Sequence, residues 1–278
     1  MRQASLSLIK ALYASGVQDR SLFIQSSVPE HFEIGMIIQH LTTVGQLENM
    51  TQYKQKAKQN EERNNDNQTP IPTGLLTYPA LMAGDILLYR ANMVPAGDDQ
   101  TQHVQYVRDI VDTFKKNFKS NFLIKPDIAK LHATRVMQLN DPKKKMSKSA
   151  ENQSGTVYIT ESMDSVSKKY NRAVSGSNLE ILENYDDNEP GTQNLLNILG
   201  GFKNIDKKEI ALEMAGKNMS SLKKSVIEAH DMILSPIRER IESISNDDMQ
   251  DILTKNFPAV KLVAQENMRI IRKIVGFA

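Results

Sequence analysis

The chain has 278 residues, and its hydrophobic share of 40% is enough for one large or two ordinary folded domains. Its 35 lysines and arginines nearly balance 33 acidic residues, so the net charge of +2 excludes a globally basic nucleic-acid binder. The lack of cysteine excludes disulfides and thiolate metal sites, and no apolar run is long enough to span a membrane, so we expect a soluble cytoplasmic protein.

The N-terminal part of the chain predicts a helix, a buried strand and a second helix. Apolar side chains at helical spacing over 4–16 indicate the first helix, which Gly16 would end. The short apolar run over 21–27 favours a buried strand. Pro29 suits the first turn of the next helix. The apolar face of that helix would carry Phe32, Met36 and Ile37, with His40 near its end.

Helix and strand patterns alternate through the first half of the chain. We expect a further helix over 44–58 and an exposed loop over the polar segment 60–74. The segment 77–89 is mostly apolar, and 91–118 predicts a strand, a turn and then a helix from about Asp99. This alternation predicts an α/β layer with parallel strands.

Beyond Ala150 the pattern changes to helices. Apart from a short strand-like stretch at 155–160, segments with helical spacing of apolar residues follow one another. We therefore predict an α/β domain over 1–150 and an α-helical domain over 151–278, whose last helix packs back on the first domain.

The stretch NDPKKKMSKSAEN at 140–152 concentrates positive charge in a segment with almost nothing to bury. Ammonium groups and hydroxyls suit phosphate oxygens, and such a loop could close on a triphosphate and stabilise the charge of a leaving pyrophosphate. A solvated surface loop explains the same composition. The composition alone leaves both interpretations open.

Polar residues also lie where the helix after residue 97 is predicted to begin. Gly97 allows a tight turn, and Asp98, Asp99 and Gln100 follow it, where N–H groups and side chains could bind a ribose or an amino group. An ordinary helix cap has the same pattern. His103 alone is more typical of a packed or surface histidine than of a catalyst.

Asp85 is the one acid in the apolar segment 77–89. A buried carboxylate is costly unless it is paired or hydrogen-bonded. Asp85 is therefore either a structural acid that caps a helix or, with Met82 as soft packing, an acceptor for the N–H of an indole. A ligand without that donor would leave the acid unpaired.

The order of residues in these segments resembles a known family. KMSKS at 145–149 is similar to the second signature of class I aminoacyl-tRNA synthetases, and VPAGDDQTQH at 94–103 resembles the tryptophanyl branch. The chain is identified as a member of the bacterial-type tryptophanyl-tRNA synthetases. Other similar strings lie in the family's order along nearly the whole chain: LFIQSSVPEH, LENMTQYKQKA, GLLTYPALMAGDILLY, RVMQLNDPKKKMSKS and PGTQNLLNI.

The resemblance implies the residues of a site. Asp85 would bind the indole nitrogen, and other tryptophan contacts would come from Tyr78, Met82 and Gln100. The residues implied for ATP are Gly97, Asp98, Asp99, the backbone of Val136, Lys145, Met146, Ser147, Lys148 and Ser149. Of these, Lys145 and Lys148 would act in catalysis.

The resemblance also implies a fold, an activity and partners. A Rossmann-like catalytic domain over 1–150 would precede an anticodon-recognition domain, in which Lys168, Lys169 and Arg172 either contact the tRNA backbone or form a solvated face. The enzyme would activate L-tryptophan with ATP to an adenylate and transfer it to tRNA(Trp), without a side-chain nucleophile. Mg2+ would be held through the ATP phosphates, with no dedicated metal site. The family is homodimeric, and the apolar helices before Asn60 would form the interface.

The family's first signature, HIGH or its Thr-Ile-Gly-Asn variant, has no counterpart in this sequence. EIGM at 33–36 lies too far along the chain and inside a predicted helix, so we reject it as that signature. The resemblance therefore implies an N-terminally incomplete Rossmann-like domain, and we expect a fragment or a mis-started gene model of an active enzyme.

Three alternatives compete with this interpretation. A truncated or non-catalytic relative would bind tryptophan or RNA without forming adenylate, although the KMSKS and GDDQ strings are intact. A tyrosyl enzyme would carry a Gly-Gly-Ser-Asp-Gln-like segment, which differs from the one here. An unrelated P-loop nucleotide enzyme would need a G-x-x-x-x-G-K-[ST] string, which the sequence lacks.

Overall fold

The structure, a computed structural model, describes residues 2–17, 22–55, 57, 71–97, 100–129, 135–147 and 152–277. The chain divides into two compact units. Residues 1–17 and 131–249 form what we call the helical unit, and residues 18–130 and 250–278 form the mixed unit.

Helices dominate the described part of the chain. In chain order they are α1 (Arg2–Ala14), α2 (Glu30–Leu41), α3 (Val44–Glu48), α4 (51–55), α5 (Thr73–Leu87), α6 (Thr101–Phe118), α7 (Met163–Asn171), α8 (Pro190–Lys203), α9 (Lys207–Met214), α10 (Met219–Ser243) and α11 (Asn246–Val275). None of these helices is long and apolar enough to cross a membrane.

The mixed unit contains a small parallel sheet. Strand β1 (Met93–Pro95) pairs with β2 (Asp127–Ala129), with Met93 opposite Asp127, and α6 connects the two strands. Parallel neighbours need such a crossover connection. The predicted α/β layer with parallel strands is confirmed, as is the order of strand, turn and helix over 91–118.

The predicted strand over 21–27 is wrong. Residues 22–24 form no strand, and Gln25–Ser27 form a 3-10 turn that the N–H of Val28 closes by donating to the carbonyl of Gln25 at 3.0 Å. Only three apolar residues of the predicted segment precede Gln25, and the polar residues after them favour a turn. The side chain of Gln25 then reaches across to α5.

The predicted apolar face of α2 is only partly correct. Ile37 is buried, but Phe32 and Met36 are 52% and 56% exposed. The helix instead buries Ile34 and Ile38. EIGM at 33–36 lies inside α2, which confirms that it is mid-helix.

Two glycines explain which face of α2 turns inward. A Cβ added to Gly35 would lie 3.3 Å from the Cα of Leu81 on α5, and one added to Gly84 would lie 3.0 Å from Cγ2 of Ile34. A Cβ at these separations would be tighter than an ordinary van der Waals contact, so glycine allows the two helices to approach closely. The close contact selects the side of α2 that carries Ile34.

Two other predicted elements also differ from the structure. The helix expected over 44–58 is interrupted at Asn49 and Met50, after α3, which begins with a capping box between Thr43 and Gln46. The stretch 155–160 forms no strand. Most of the loop expected over 60–74 lies outside the described residues.

The helical unit has its own core. Buried side chains of α7, α8, α9 and α10 form it, among them Val166, Leu195, Leu199, Ile210 and Val226. The last helix instead adds Ala264, Met268 and Ile271 to the core of the mixed unit. The compact units thus divide near residues 130 and 249, and the functional division at 150 stays a prediction.

Replacing Gly84 by alanine should lower the free energy of unfolding by about 1–3 kcal/mol, because the new methyl group would press on α2. Its nearest neighbours would be Cγ2 of Ile34 at 3.0 Å and the backbone nitrogen of Gly35 at 3.2 Å. Chemical denaturation measures the change. Gly74→Ala on the same helix is the control, since its Cβ would meet nothing within 4 Å. An equal loss in both variants would contradict the close packing of α2 on α5.

Candidate functional site

One face of α5 carries three of the four residues predicted to contact tryptophan, and the fourth, Gln100, lies at the start of α6. Tyr78, Met82 and Asp85 follow the helical spacing of four and three residues, so their side chains share one side of the helix. All three are half-buried, and Met82 packs against the core of the mixed unit. The structure therefore brings this predicted group together.

The carboxylate of Asp85 is held by two residues that precede it in the chain. Nε2 of Gln25 lies 2.8 Å from Oδ1 and 2.8 Å from Oδ2, and Nδ1 of His31 lies 2.6 Å from Oδ1. The side chain of His31 is 2% exposed and that of Asp85 is 38% exposed. The acid is thus fixed on one side and open on the other.

Two aromatic rings complete this cluster. Nε2 of His31 lies 2.9 Å from the hydroxyl of Tyr89, which is one turn beyond Asp85. The ring of Phe23 packs against the rings of His31 and Tyr89, with centroid distances of 5.7 and 5.6 Å, respectively. Burial raises the pKa of Tyr89 to about 12, helped by the negative charges of Asp85 and Glu30. Tyr89 therefore stays a protonated phenol at physiological pH.

Sequence reasoning missed Gln25 and His31 as partners of the acid. Both lie in LFIQSSVPEH, a string that resembles the family. A glutamine in a turn and a histidine in the first turn of a helix do not by themselves indicate a contact with α5. A buried acid in an apolar helix is the signal that could have prompted the search, since such a group needs donors.

Tyr78 has its own partners on the same face. Its hydroxyl donates to Oε1 of Gln52 at 3.2 Å and lies 2.9 Å from Nε2 of His103. Burial raises the pKa of Tyr78. His103 is 1% exposed, so of the two non-catalytic roles expected for it, packed or surface, it has the packed one.

Two of the predicted site residues, Gly97 and Gln100, lie in the turn before α6. The N–H of Gln100 donates to the carbonyl of Gly97 at 2.9 Å, and Gln100 is the N-terminal cap of α6. Asp98 and Asp99 lie outside the described residues. The start of a helix is in general a position where N–H groups can bind an anionic or polar ligand.

In the helical unit, residues 140–146 of the lysine-rich stretch belong to a β-hairpin over residues 136–146, called the hairpin below. The N–H of Met146 donates to the carbonyl of Val136 at 3.0 Å, and Lys145 pairs with Met137 in an antiparallel bridge. Val136 and Met146 pack on the core, and Lys145 is exposed. The hairpin thus brings Val136, Lys145 and Met146 together.

The strand that leaves the hairpin continues into the predicted loop. The carbonyl of Ser147 accepts the hydroxyl of Thr156 at 3.3 Å. Lys148 and Ser149, the remaining residues of KMSKS, lie outside the described residues. The turn of the hairpin is fixed by Lys144, whose ammonium lies 3.2 Å from Oδ2 of Asp141 and lowers the pKa of that carboxyl.

Two buried amides of α8 hold the hairpin, and sequence reasoning missed them. Asn194 accepts from the N–H of Met137 at 2.9 Å and donates to its carbonyl at 2.9 Å, and Asn197 donates to the carbonyl of Arg135 at 3.0 Å. Asn194 and Asn197 are 5% and 8% exposed. Amides spaced by three residues within the apolar string PGTQNLLNI were the available signal.

The three cations considered for tRNA contact differ in availability. Lys169 lies 2.7 Å from a carboxylate oxygen of Glu161 and donates to the carbonyl of Thr156 at 2.7 Å, so it is committed to structure. Lys168 and Arg172, spaced by one helical turn, are exposed and line a cavity of about 320 Å3 beside the end of the hairpin. Among described residues, no His, Asp or Glu cluster could hold a metal ion.

Comparison with known proteins identifies relatives along the whole chain. The family model for class I tRNA synthetases (W and Y) matches residues 2–235. The tryptophan–tRNA ligase of Clostridium acetobutylicum is 34% identical over 281 residues, which cover 100% of this chain and 82% of the relative. The tryptophan–tRNA ligase of Clostridium tetani is 36% identical and is covered to 80% of its length.

Solved structures agree with these relatives. The tryptophanyl-tRNA synthetase of Mycoplasma pneumoniae has a TM-score of 0.89 at 33% identity, covering 100% of this chain and 83% of that chain. The Campylobacter jejuni enzyme, solved with ADP and tryptophan, has a TM-score of 0.72 at 26% identity, covering 99% of this chain and 83% of that chain. The tyrosyl-tRNA synthetase of Aeropyrum pernix shares the fold alone. It is 17% identical, with a TM-score of 0.63 over 92% of this chain and 73% of that one.

Asn194→Ala should loosen the hairpin, because it removes both hydrogen bonds to Met137 and leaves that backbone with unpaired groups. Each unsatisfied buried group costs about 1–3 kcal/mol, so amide hydrogen exchange of the hairpin should accelerate about tenfold or more. Asn197→Ala, which removes one bond, should have a smaller effect. Gln193→Ala is the control, because Gln193 donates to the carbonyl of Asp186 instead. Unchanged exchange in Asn194→Ala would contradict the anchoring role.

Proposed function

Because this chain belongs to the class I tRNA synthetases, and within them to the tryptophan–tRNA ligases, we propose that it activates tryptophan with ATP and transfers it to tRNA(Trp). The observation that carries the proposal from the structure is the carboxylate of Asp85. It lies on a helix face beside Tyr78 and Met82, accepts hydrogen bonds from Gln25 and His31, and keeps an open side.

Tryptophan recognition follows from what Asp85 can accept. An indole has one N–H donor and a large apolar body, and an ionised carboxylate is a strong acceptor. Asp85 would accept the indole N–H, and Met82 on the same face of α5 would contact the ring. Tyr78 and Gln100 would bind the polar end of the amino acid. These roles follow the resemblance residue by residue, and the shared face of α5 supports them.

ATP would be bound by two groups of residues. The backbone near Gly97, with Asp98 and Asp99, would bind the nucleoside, as would the backbone of Val136. Lys145, Met146, Ser147, Lys148 and Ser149 would contact the phosphates. Mg2+ would reach the protein through those phosphates, since Mg2+ commonly binds a site chiefly through its substrate.

The chemistry needs no nucleophile from the protein. The carboxylate of tryptophan would attack the α-phosphorus of ATP, and the bond to pyrophosphate would break, giving tryptophanyl-adenylate. Lys145 and Lys148 would stabilise the negative charge that grows on the leaving pyrophosphate. A ribose hydroxyl of the tRNA would then attack the adenylate carbonyl and release AMP.

Other parts of the proposal concern the tRNA and the location. Residues 1–150 would form the catalytic domain and 151–278 the anticodon-recognition domain. Lys168 and Arg172 would contact phosphates of the tRNA, because both are exposed and Lys169 is already paired. Since the proposed activity serves translation, we place the protein in the cytoplasm.

Tryptophan-dependent exchange of pyrophosphate into ATP tests the activity. We expect exchange with tryptophan and none with tyrosine. Asp85→Asn should raise the KM for tryptophan about 10- to 100-fold and leave the KM for ATP within about twofold, because a hydrogen bond to a charged group contributes about 1.5–3 kcal/mol. Asp109→Asn is the control, since Asp109 also accepts from a glutamine, Gln105, at 2.7 Å but is on an exposed face.

Two results would contradict the proposal. Tryptophan binding without exchange would favour a non-catalytic relative, and exchange with tyrosine would favour the tyrosyl alternative.

We also propose a homodimer whose interface includes α2 and α3. Phe32 and Met36 lie one turn apart on α2 and are 52% and 56% exposed, and Val44 of α3 is 61% exposed. Large apolar side chains that stay exposed in this number on neighbouring helices mark an interaction surface.

Met36→Glu should convert the dimer to a monomer, because it would bury an unpaired charge in the interface. Light scattering coupled to size-exclusion chromatography measures the mass. Met232→Glu is the control, since Met232 is 72% exposed on α10 and is not part of the proposed surface. A dimer that persists in Met36→Glu would exclude this surface.

A further inference from the structure

The hydrogen bonds around Asp85 leave part of its carboxylate unused. An ionised carboxylate can accept about four hydrogen bonds. Oδ1 receives Nδ1 of His31 and shares Nε2 of Gln25, whereas Oδ2 receives only the shared Nε2. Oδ2 therefore keeps the larger unused acceptor capacity, in a side chain that is 38% exposed. The donors thus fix the carboxylate without saturating it.

The contacts of His31 fix the orientation of its ring. A carboxylate can only accept, so Nδ1 must be the donor to Asp85. Nε2 lies 2.9 Å from the hydroxyl of Tyr89, so both ring nitrogens have partners. Tyr89 therefore helps to hold the ring with the N–H of Nδ1 towards Asp85.

The donors to Asp85 do not include lysine or arginine. In the part of the chain that the structure describes, the carboxylate forms no ion pair with either residue type, and its basic partner there is His31. A lysine or arginine would neutralise the acid and weaken its attraction for a ligand N–H. Gln25, an uncharged amide, and His31 orient the group without such a cation.

We propose that Gln25 and His31 are positioning residues that determine specificity for the indole N–H, by holding the carboxylate of Asp85 so that Oδ2 accepts it. This inference rests on the proposed function and deepens it. Tyr89 acts one step further away, by holding the ring of His31. Neither Gln25 nor His31 needs to touch the substrate.

Paired substitutions at His31 separate positioning from packing. The amide nitrogen of asparagine lies near the place of Nδ1, and that of glutamine lies near the place of Nε2. His31→Asn should therefore keep the donor to Asp85, whereas His31→Gln should keep the contact with Tyr89 and lose that donor. Gln25→Met keeps the length of the side chain and removes its donor at a part-buried turn, so it tests the same role without disturbing α2.

Tryptophan binding can be measured directly because the chain contains no tryptophan. The fluorescence of the added amino acid reports its binding to the full chain, without any need for adenylate formation. The second ligand is benzothienylalanine, in which sulfur replaces the indole N–H, measured by competition with tryptophan. The ratio of the two dissociation constants reports the hydrogen bond to Asp85 and cancels effects on ring packing.

We expect the unmodified chain to prefer tryptophan to the sulfur analogue by about tenfold or more, as for a hydrogen bond to a charged acceptor. His31→Gln and Gln25→Met should lose about tenfold of that preference, and His31→Asn should stay within about threefold of the unmodified chain. His40→Gln on α2 and Gln105→Met on α6 are controls, since their side chains bond a carbonyl of α2 and Asp109, respectively.

Each outcome decides between the claims. An unchanged ratio in both His31→Gln and Gln25→Met, or equal loss in His31→Asn and His31→Gln, would overturn the positioning role while leaving the proposed function intact. A chain that binds tryptophan with the expected preference but catalyses no exchange would support the inference and contradict the catalytic proposal. A chain that does not bind tryptophan would contradict both. If His31→Gln fails to fold, Gln25→Met decides.

Discussion

The contact between α2 and α5 sets the position of the carboxylate on which tryptophan recognition would depend. A Cβ at Gly84 would lie 3.2 Å from the backbone nitrogen of Gly35 and 3.3 Å from the carbonyl of His31, so a larger residue there would press α2 away from α5. That separation places Nδ1 of His31 2.6 Å from Asp85. Hydrogen bonds weaken steeply with distance, so a shift by the width of a methyl group would break this one. Backbone packing thus orients the acid before any ligand arrives.

The helical unit holds its hairpin by a different device. No third strand among the described residues extends the hairpin into a sheet, and the amides of Asn194 and Asn197 take over part of that pairing. A side-chain amide has both a donor and an acceptor, so it can bind a peptide group as a neighbouring strand would. Gly155 allows a further close approach, since a Cβ there would lie 1.9 Å from Oδ1 of Asn140. The lysine-rich segment is therefore attached to a rigid base.

Local patterns predicted much of the fold but not the contacts that orient the site. The face of α5 with Asp85 could be predicted because helical spacing and the family's strings agree over a continuous segment. The partners of that acid could not, because Gln25 and His31 are 60 and 54 residues away and nothing in their own neighbourhood indicates α5. For the same reason Asn194, 57 residues from Met137, was missed. The predicted strand over 21–27 failed because its polar end forms a local turn, in which the N–H of Ser27 donates to the carbonyl of Ile24 at 3.0 Å.

The two parts of the proposed site need opposite electrostatic surroundings. Recognition of one neutral N–H works best when the acceptor keeps its charge, and among the described residues no lysine or arginine pairs with Asp85. Stabilisation of a leaving pyrophosphate needs positive charge, which the hairpin supplies. There Lys144 pairs with Asp141 to fix the turn, and the adjacent Lys145 is presented from the exposed edge. An exchange of these surroundings would impair both tasks. A lysine beside Asp85 would compete with the ligand for the acid. A glutamine in place of Lys145 would offer no charge to the phosphates.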